Sequence, residues 1–186
     1  IFLFISGTTN ETAVNSDPGF REAIFDAGSI RDLIKQNDCD GIRVYNTLNG
    51  NNVELMAVPI SKGADLNKGL FNFSPYLVSQ GVNNERIVTD RISERKARER
   101  CEALYRSNFN QYAVDFNKSE VETLLRTNGA NAVRITPFQS GEALSMQMEA
   151  TNFQGGTAMP LGGTQIEATN PCPPYCGIEG NYVFTP

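Results

Sequence analysis

Apolar residues recur along the chain in two rhythms, and the same succession of rhythms occurs twice. Phe20, Ala23, Ile24 and Phe25 suit a short buried strand. Ile30, Leu33 and Ile34 then fall at i, i+3, i+4, one face of a helix, with Ser29 in position to cap it. Asn37 to Gly41 ends that helix as a C-cap and turn. Two strand-like runs, 42–48 and 53–60, flank Asn49-Gly50-Asn51-Asn52. Asn-Gly between such runs is a strong hairpin signal. The second run does not alternate strictly, which predicts a strand covered on both faces over part of its length.

The pattern returns 91 residues on, where Val133 answers Ile42. Tyr112, Val114 and Phe116 alternate as a strand. Ser119-Glu120-Val121-Glu122 reads as a capping box, and Val121, Leu124 and Leu125 repeat the helix face. Runs 133–138 and 143–150 form the second hairpin around Gln139-Ser140-Gly141-Glu142. The shared register predicts a buried core of Phe25, Ile30, Leu33, Ile42, Val44 and Leu55, matched by Phe116, Val121, Leu124, Val133, Ile135 and Met146. Between the repeats, residues 61–86 read as loop with one short strand at 70–73. Residues 88–107 read as the clearest helix, with Glu94/Arg98 and Glu102/Arg106 pairs and a narrow stripe of Ala97, Cys101 and Leu104. From Thr151 the chain is glycine-rich and reads as flexible loop.

These elements predict an α+β protein of two tandem small modules, each a short antiparallel sheet with one or two helices. The expected boundaries are an N-terminal segment at 1–19, module one at 20–86, module two at 87–151 and a Gly/Pro-rich tail at 152–186.

Composition then narrows the chemistry. The 186 residues carry a net charge of −5 and no histidine. Without imidazole there is no Ser-His-Asp triad, Cys-His pair or His-ligated metal within the chain. The basic residues of 88–107 are interleaved with Asp90, Glu94, Glu99 and Glu102, which marks a solvated face rather than a nucleic-acid surface. No apolar run approaches the ~20 residues of a membrane helix. The Ser93-Glu94-Arg95-Lys96 match to a Ser-x-x-Lys nucleophile lacks its companion motifs. No residue is assigned a catalytic, cofactor-binding or metal-binding role.

Two features stand out as candidate sites. Cys172 and Cys176 are separated by Pro-Pro-Tyr. A small disulfide loop, half of a metal site completed by Cys39 and Cys101, and a reduced partner-binding tail are the competing readings. A disulfide would need a tight turn that brings the Cα atoms within ~4.4–6.8 Å, with Tyr175 projecting from its tip toward a partner. Arg43 and Arg134 are the repeated charged residues of the strands. Each either binds a partner's anion or pairs with a nearby acid on a half-exposed face.

The strand–capped helix–hairpin order with its Cys-Pro-Pro-Tyr-Cys end resembles a family of small uncharacterised proteins frequent in Bacteroidetes. Those consist of one such module finishing in Cys-Pro-x-x-Cys, so this chain resembles a tandem duplication of them, best over 88–177. The first half departs from the pattern, with Phe73-Ser74-Pro75-Tyr76 where the cysteine tail would stand. The resemblance implies a bacterial protein with no known cofactor, and it carries no activity. The expected function is non-enzymatic binding or assembly, with a protein partner or self-association through sheet edges or residues 1–5. The alternative is a small thiol or metal protein acting through Cys172 and Cys176.

Overall fold

The computed structural model describes residues 22–66, 74–107, 113–140 and 143–172. Strand β1 (Ala23–Asp26) runs into helix α1 (Ala27–Ile34), followed by β2 (Gly41–Asn49) and β3 (Asn52–Ser61). The same order recurs as β7 (Ala113–Asn117), α3 (Lys118–Leu125), β8 (Ala132–Ser140) and β9 (Ala143–Gln154). Between these halves lie β4 (Ala64–Asp65), β5 (Tyr76–Asn83), β6 (Arg86–Ile92) and α2 (Glu94–Arg106). Strands β10 (Thr157–Glu167) and β11 (Thr169–Cys172) complete the described chain.

The expected α+β protein of two tandem small modules is overturned. The protein is mostly β, built on two large antiparallel sheets. One has the order β1-β8-β9-β10, the other β11-β7-β2-β3-β5-β6 with β4 against β3. The reason lies in the first strand of each half. β1 pairs with β8, and β7 pairs with β2, so each half lends its opening strand to the other half's hairpin. The two exchanges use one register. Phe25 stands opposite Val133 as Phe116 stands opposite Ile42, and Ile24 opposite Arg134 as Asp115 opposite Arg43.

Both sheets are therefore made from both halves, and they close over one core. All twelve residues of the predicted core are buried, in a single cluster that also holds the apolar faces of α1 and α3. Strand exchange makes two separate cores impossible, because Phe25 sits in the second half's sheet and Phe116 in the first's. At Gly41 the strands approach so closely that an added Cβ would lie 2.6 Å from the Phe116 carbonyl oxygen.

A second layer covers the opposite face of the larger sheet. Ala97 and Cys101 of α2 pack with Tyr45, Met56, Val58, Tyr76 and Val78. This is why β2 and β3 lack clean alternation, since both of their faces are buried. The smaller sheet closes on the larger through β1. The Ser79 hydroxyl donates to the Ile24 carbonyl at 2.8 Å, and the Asp26 amide donates to Thr89 Oγ1 at 3.2 Å. Ser79 and Thr89 are opposite neighbours in the β5–β6 pair, so β1 lies across that face.

Several local expectations are corrected. Most of 74–92 is the β5–β6 hairpin rather than loop and helix start; its turn places Asn84 and Glu85 at φ 47° and 61°. The glycine-rich stretch after Thr151 is largely strand, with Gly155 and Gly156 (φ 58° and 82°) turning β9 into β10. Asp26, not Ser29, caps α1, accepting from the Ser29 amide at 2.8 Å. Helix α3 starts at Lys118 behind Asn117, whose amide nitrogen donates to Glu120 in place of the expected Ser119 capping box. The expected strand at 70–73 and the apolar segment 1–5 lie outside the described residues.

Candidate functional site

Arg43 occupies the middle of β2, on the face covered by α2. Its neighbour across β7 is Asp115. A turn through Lys62 and Gly63, both at positive φ, folds β4 back on β3 and returns Asp65 to the same place. The Arg43 guanidinium donates to both oxygens of Asp115, from Nε at 2.7 Å and Nη2 at 3.0 Å. It also donates to Asp65 Oδ1 at 3.2 Å and to the Gly63 carbonyl at 3.0 Å. The Tyr45 hydroxyl donates to Asp65 Oδ2 at 2.6 Å.

One arginine thus serves two carboxylates in a dry environment. Burial pushes the Asp65 carboxyl up to about 6, Asp115 adds to the rise, and Tyr45 and Arg43 oppose it. Burial also raises Tyr45 well above the ordinary tyrosine value, with the Asp65 charge adding to it. For Arg43 burial acts downward, but the bond to Asp115 and the surrounding acids hold it above its usual range. A carboxyl that holds a proton near neutrality beside a tyrosine has the makings of acid–base chemistry. Here the carboxyl is buried beneath its neighbours. The side chains of Arg43, Asp65 and Asp115 are 7%, 0% and 11% exposed. What the cluster does is tie three segments of chain, β2, β4 and β7, beneath α2.

Arg134 holds the corresponding place in the smaller sheet and behaves differently. The residue opposite it in β1 is Ile24, which offers no charge, so Arg134 turns to Glu149 of its own hairpin. The pair is partly open, at 23% and 15% side-chain exposure. The two repeated arginines are not brought together; they lie in different sheets.

Cys172 ends β11, opposite Ala113. Tyr175 and Cys176 lie outside the described residues, and with them the proposed loop. Cys39 and Cys101 are free thiols buried in two different clusters, one on each side of the larger sheet. Burial pushes both thiols up, which leaves them protonated and poor ligands. The structure does not bring Cys39 and Cys101 together at one site. Among the described residues no three His, Cys, Asp or Glu side chains gather in a metal-binding group, and no helix is long and apolar enough to cross a membrane.

The feature that sequence reasoning missed is the outer edge of the larger sheet. Among the described residues four strands end the two sheets, and three of them are guarded. β1 is covered by Ser79 and Thr89, as above. β10 contains Pro160, and its register breaks between Pro160 and Gln165. β11 is short, contains Pro171 and breaks register as well. β6 has neither proline nor glycine over its seven residues. Its Ile87, Val88 and Thr89 are half-buried, while Arg86 and Asp90 are exposed and have no ion-pair partner among the described residues. An open groove of about 500 Å³ is lined by Asn83, Asn84, Arg86, Ile87, Val88 and Thr89. The available signal was the Asn83-Asn84 pair between two β-branched runs. No protein-family model, curated protein or solved structure matches this chain.

Proposed function

We propose that this is a non-enzymatic binding and assembly protein that accepts a strand of another chain along β6. One observation carries the reading: among the described residues β6 is a seven-residue edge with no proline, and the break in its ladder, between Ser79 and Val82, falls in β5 rather than in β6, whereas β10 and β11 carry prolines and extra residues of their own and β1 is covered. Edge strands with unpaired backbone donors and acceptors recruit an incoming strand by main-chain hydrogen bonds. The burial of the Arg43 cluster supports the non-enzymatic part, because the Asp65 carboxyl, which burial raises most, has a side chain with 0% exposure. Arg43 and Arg134 contribute to assembly only by holding the sheets together.

Amide hydrogen exchange tests this. In dilute protein, alternate amides of β6 exchange fast while those of β2 are protected. On association the β6 amides slow, and Val88→Lys, which sets a charge in the middle of the edge, stays unassociated with fast exchange. Protection of all β6 amides at every dilution, or association that leaves them fast, would overturn the reading.

A further inference from the structure

The charge order of the open edge specifies its occupant. β6 and its preceding turn residue read Glu85-Arg86-Ile87-Val88-Thr89-Asp90-Arg91. Consider this strand laid antiparallel on a second copy of itself, with the two-fold axis at Val88. Arg86 then stands opposite Asp90 of the second copy, Ile87 opposite Thr89, and Val88 opposite Val88. Glu85 stands opposite Arg91. Because a two-fold contact repeats every pair, each opposite-charge pair occurs twice.

Neighbouring registers lose these pairs. A two-fold strand pair keeps opposed side chains on one face only when its axis lies on a residue, so the nearest alternatives are centred on Ile87 or Thr89. With the axis on Ile87, Arg86 faces Val88 and Asp90 faces Asn84; with it on Thr89, Arg86 faces Ile92 and Asp90 faces Val88. Opposite charges directly opposed stabilise a strand pair. Of these three registers, only the one centred on Val88 sets Arg86 and Asp90 against opposite charges.

The side-chain geometry agrees. Arg86, Val88 and Asp90 alternate along the strand and so share one face, where the valine pair would be flanked on both sides by a charge pair. Arg86 and Asp90 are the two exposed residues of the strand and are free to pair. Arg91 is already engaged, donating to the Ser74 carbonyl at 3.1 Å and lying 3.7 Å from Asp32. The outer pairs with Glu85 are therefore secondary to the Arg86–Asp90 pairs. Val82, opposite Ile87 on β5, is 42% exposed and adds apolar surface beside the edge.

Resting on the assembly reading above, we infer that the strand accepted by β6 is β6 of a second copy of this chain, antiparallel and centred on Val88. The two larger sheets then join into one continuous sheet across the two-fold axis.

Sedimentation velocity of the full chain and its charge variants tests the inference. The wild type forms a concentration-dependent dimer. Arg86→Asp and Asp90→Arg each convert both central pairs into like-charge pairs, and each alone is monomeric. An equimolar mixture of the two variants restores a dimer, because every central pair then joins opposite charges. The double variant Arg86→Asp/Asp90→Arg also dimerises. Both sites are exposed, and recovery on mixing shows that the single variants are folded. A wild type that stays monomeric at all concentrations would overturn the inference, as would single variants that dimerise like the wild type or a mixture that stays monomeric. A wild type that stays monomeric but whose alternate β6 amides exchange fast still has an open edge, whereas protected β6 amides in a monomer would remove the edge itself, so the two claims fail separately.

Discussion

Asp115 reaches Arg43 from the other half of the chain. The two residues are direct partners in the β2–β7 ladder, and the carboxylate receives two bonds from the guanidinium. The same arginine position in the second half faces Ile24 and pairs instead with Glu149 in its own hairpin. One position has thus become a buried tie between halves in the larger sheet and a half-open tie within a hairpin in the smaller one.

The two arginines should therefore differ in what their loss costs. Arg43→Ala leaves the Asp65 and Asp115 carboxylates in the interior without their cation, a change that typically costs about 3–5 kcal/mol. Arg134→Ala releases a Glu149 that water can reach, and should cost about 1 kcal/mol or less. Urea denaturation midpoints of the two variants measure the difference. Equal costs would mean that α2 does not seal the Arg43 cluster.

Asp65 makes stability depend on pH in an unusual direction for a carboxyl. Its folded value of about 6 lies above the ordinary 3.8, so the fold binds the proton more tightly than the unfolded chain does. The stabilisation from this group is complete below about 3.8 and is lost as pH rises through about 6. Its full size is on the order of 3 kcal/mol. Subtracting the profile of Asp65→Asn from that of the wild type between pH 4 and 7 isolates it. The difference should fall with rising pH; a flat difference would count against the shared-arginine account.

Leu33 and Leu124 occupy matching places on α1 and α3 within one core. Leu33→Ala and Leu124→Ala should each cost about 2–5 kcal/mol. Each should lower the stability of the whole protein in a single transition, seen alike by far-UV circular dichroism and by exchange of amides in both sheets. Two transitions, one per variant half, would indicate separable modules.

Cys39 and Cys101 should be silent to an aromatic disulfide reagent in native protein and react once urea unfolds it. Burial in opposite layers blocks access and raises both thiols. Fast native reaction of a Cys101-only variant would show that α2 does not pack as described.

The apolar register was legible because each helix and strand buries a face whose spacing its own residues declare. That is why Phe25, Leu33, Ile42 and their counterparts could be named as core. The partner of that face was not legible. Nothing local in 23–26 says that Phe25 will be covered by Val133 rather than by its own hairpin, and this non-local choice separates one exchanged body from two modules. Arg43 shows the same limit, since its burial depends on α2, some fifty residues downstream (from Arg43 to Glu94). β6 was obscured by its charges, which continue into α2 as if one helix began at Val88; the true start is capped by Ser93. The β5–β6 turn was obscured because Asn84 and Glu85, rather than glycine, take positive φ. Ahead of β10 the glycines were read as slack, although Gly155-Gly156 is a two-residue hairpin turn.

Strand exchange between the halves is what makes this chain one body, and fragment complementation tests it most directly. The chain is cut between residues 110 and 111, and the two pieces are purified separately and then mixed, with cooperative unfolding followed by circular dichroism. Each piece alone lacks one strand of its own sheet, so neither should unfold cooperatively, and the mixture should recover a single cooperative transition. Cooperative unfolding of either piece by itself, unchanged by its complement, would contradict the exchange.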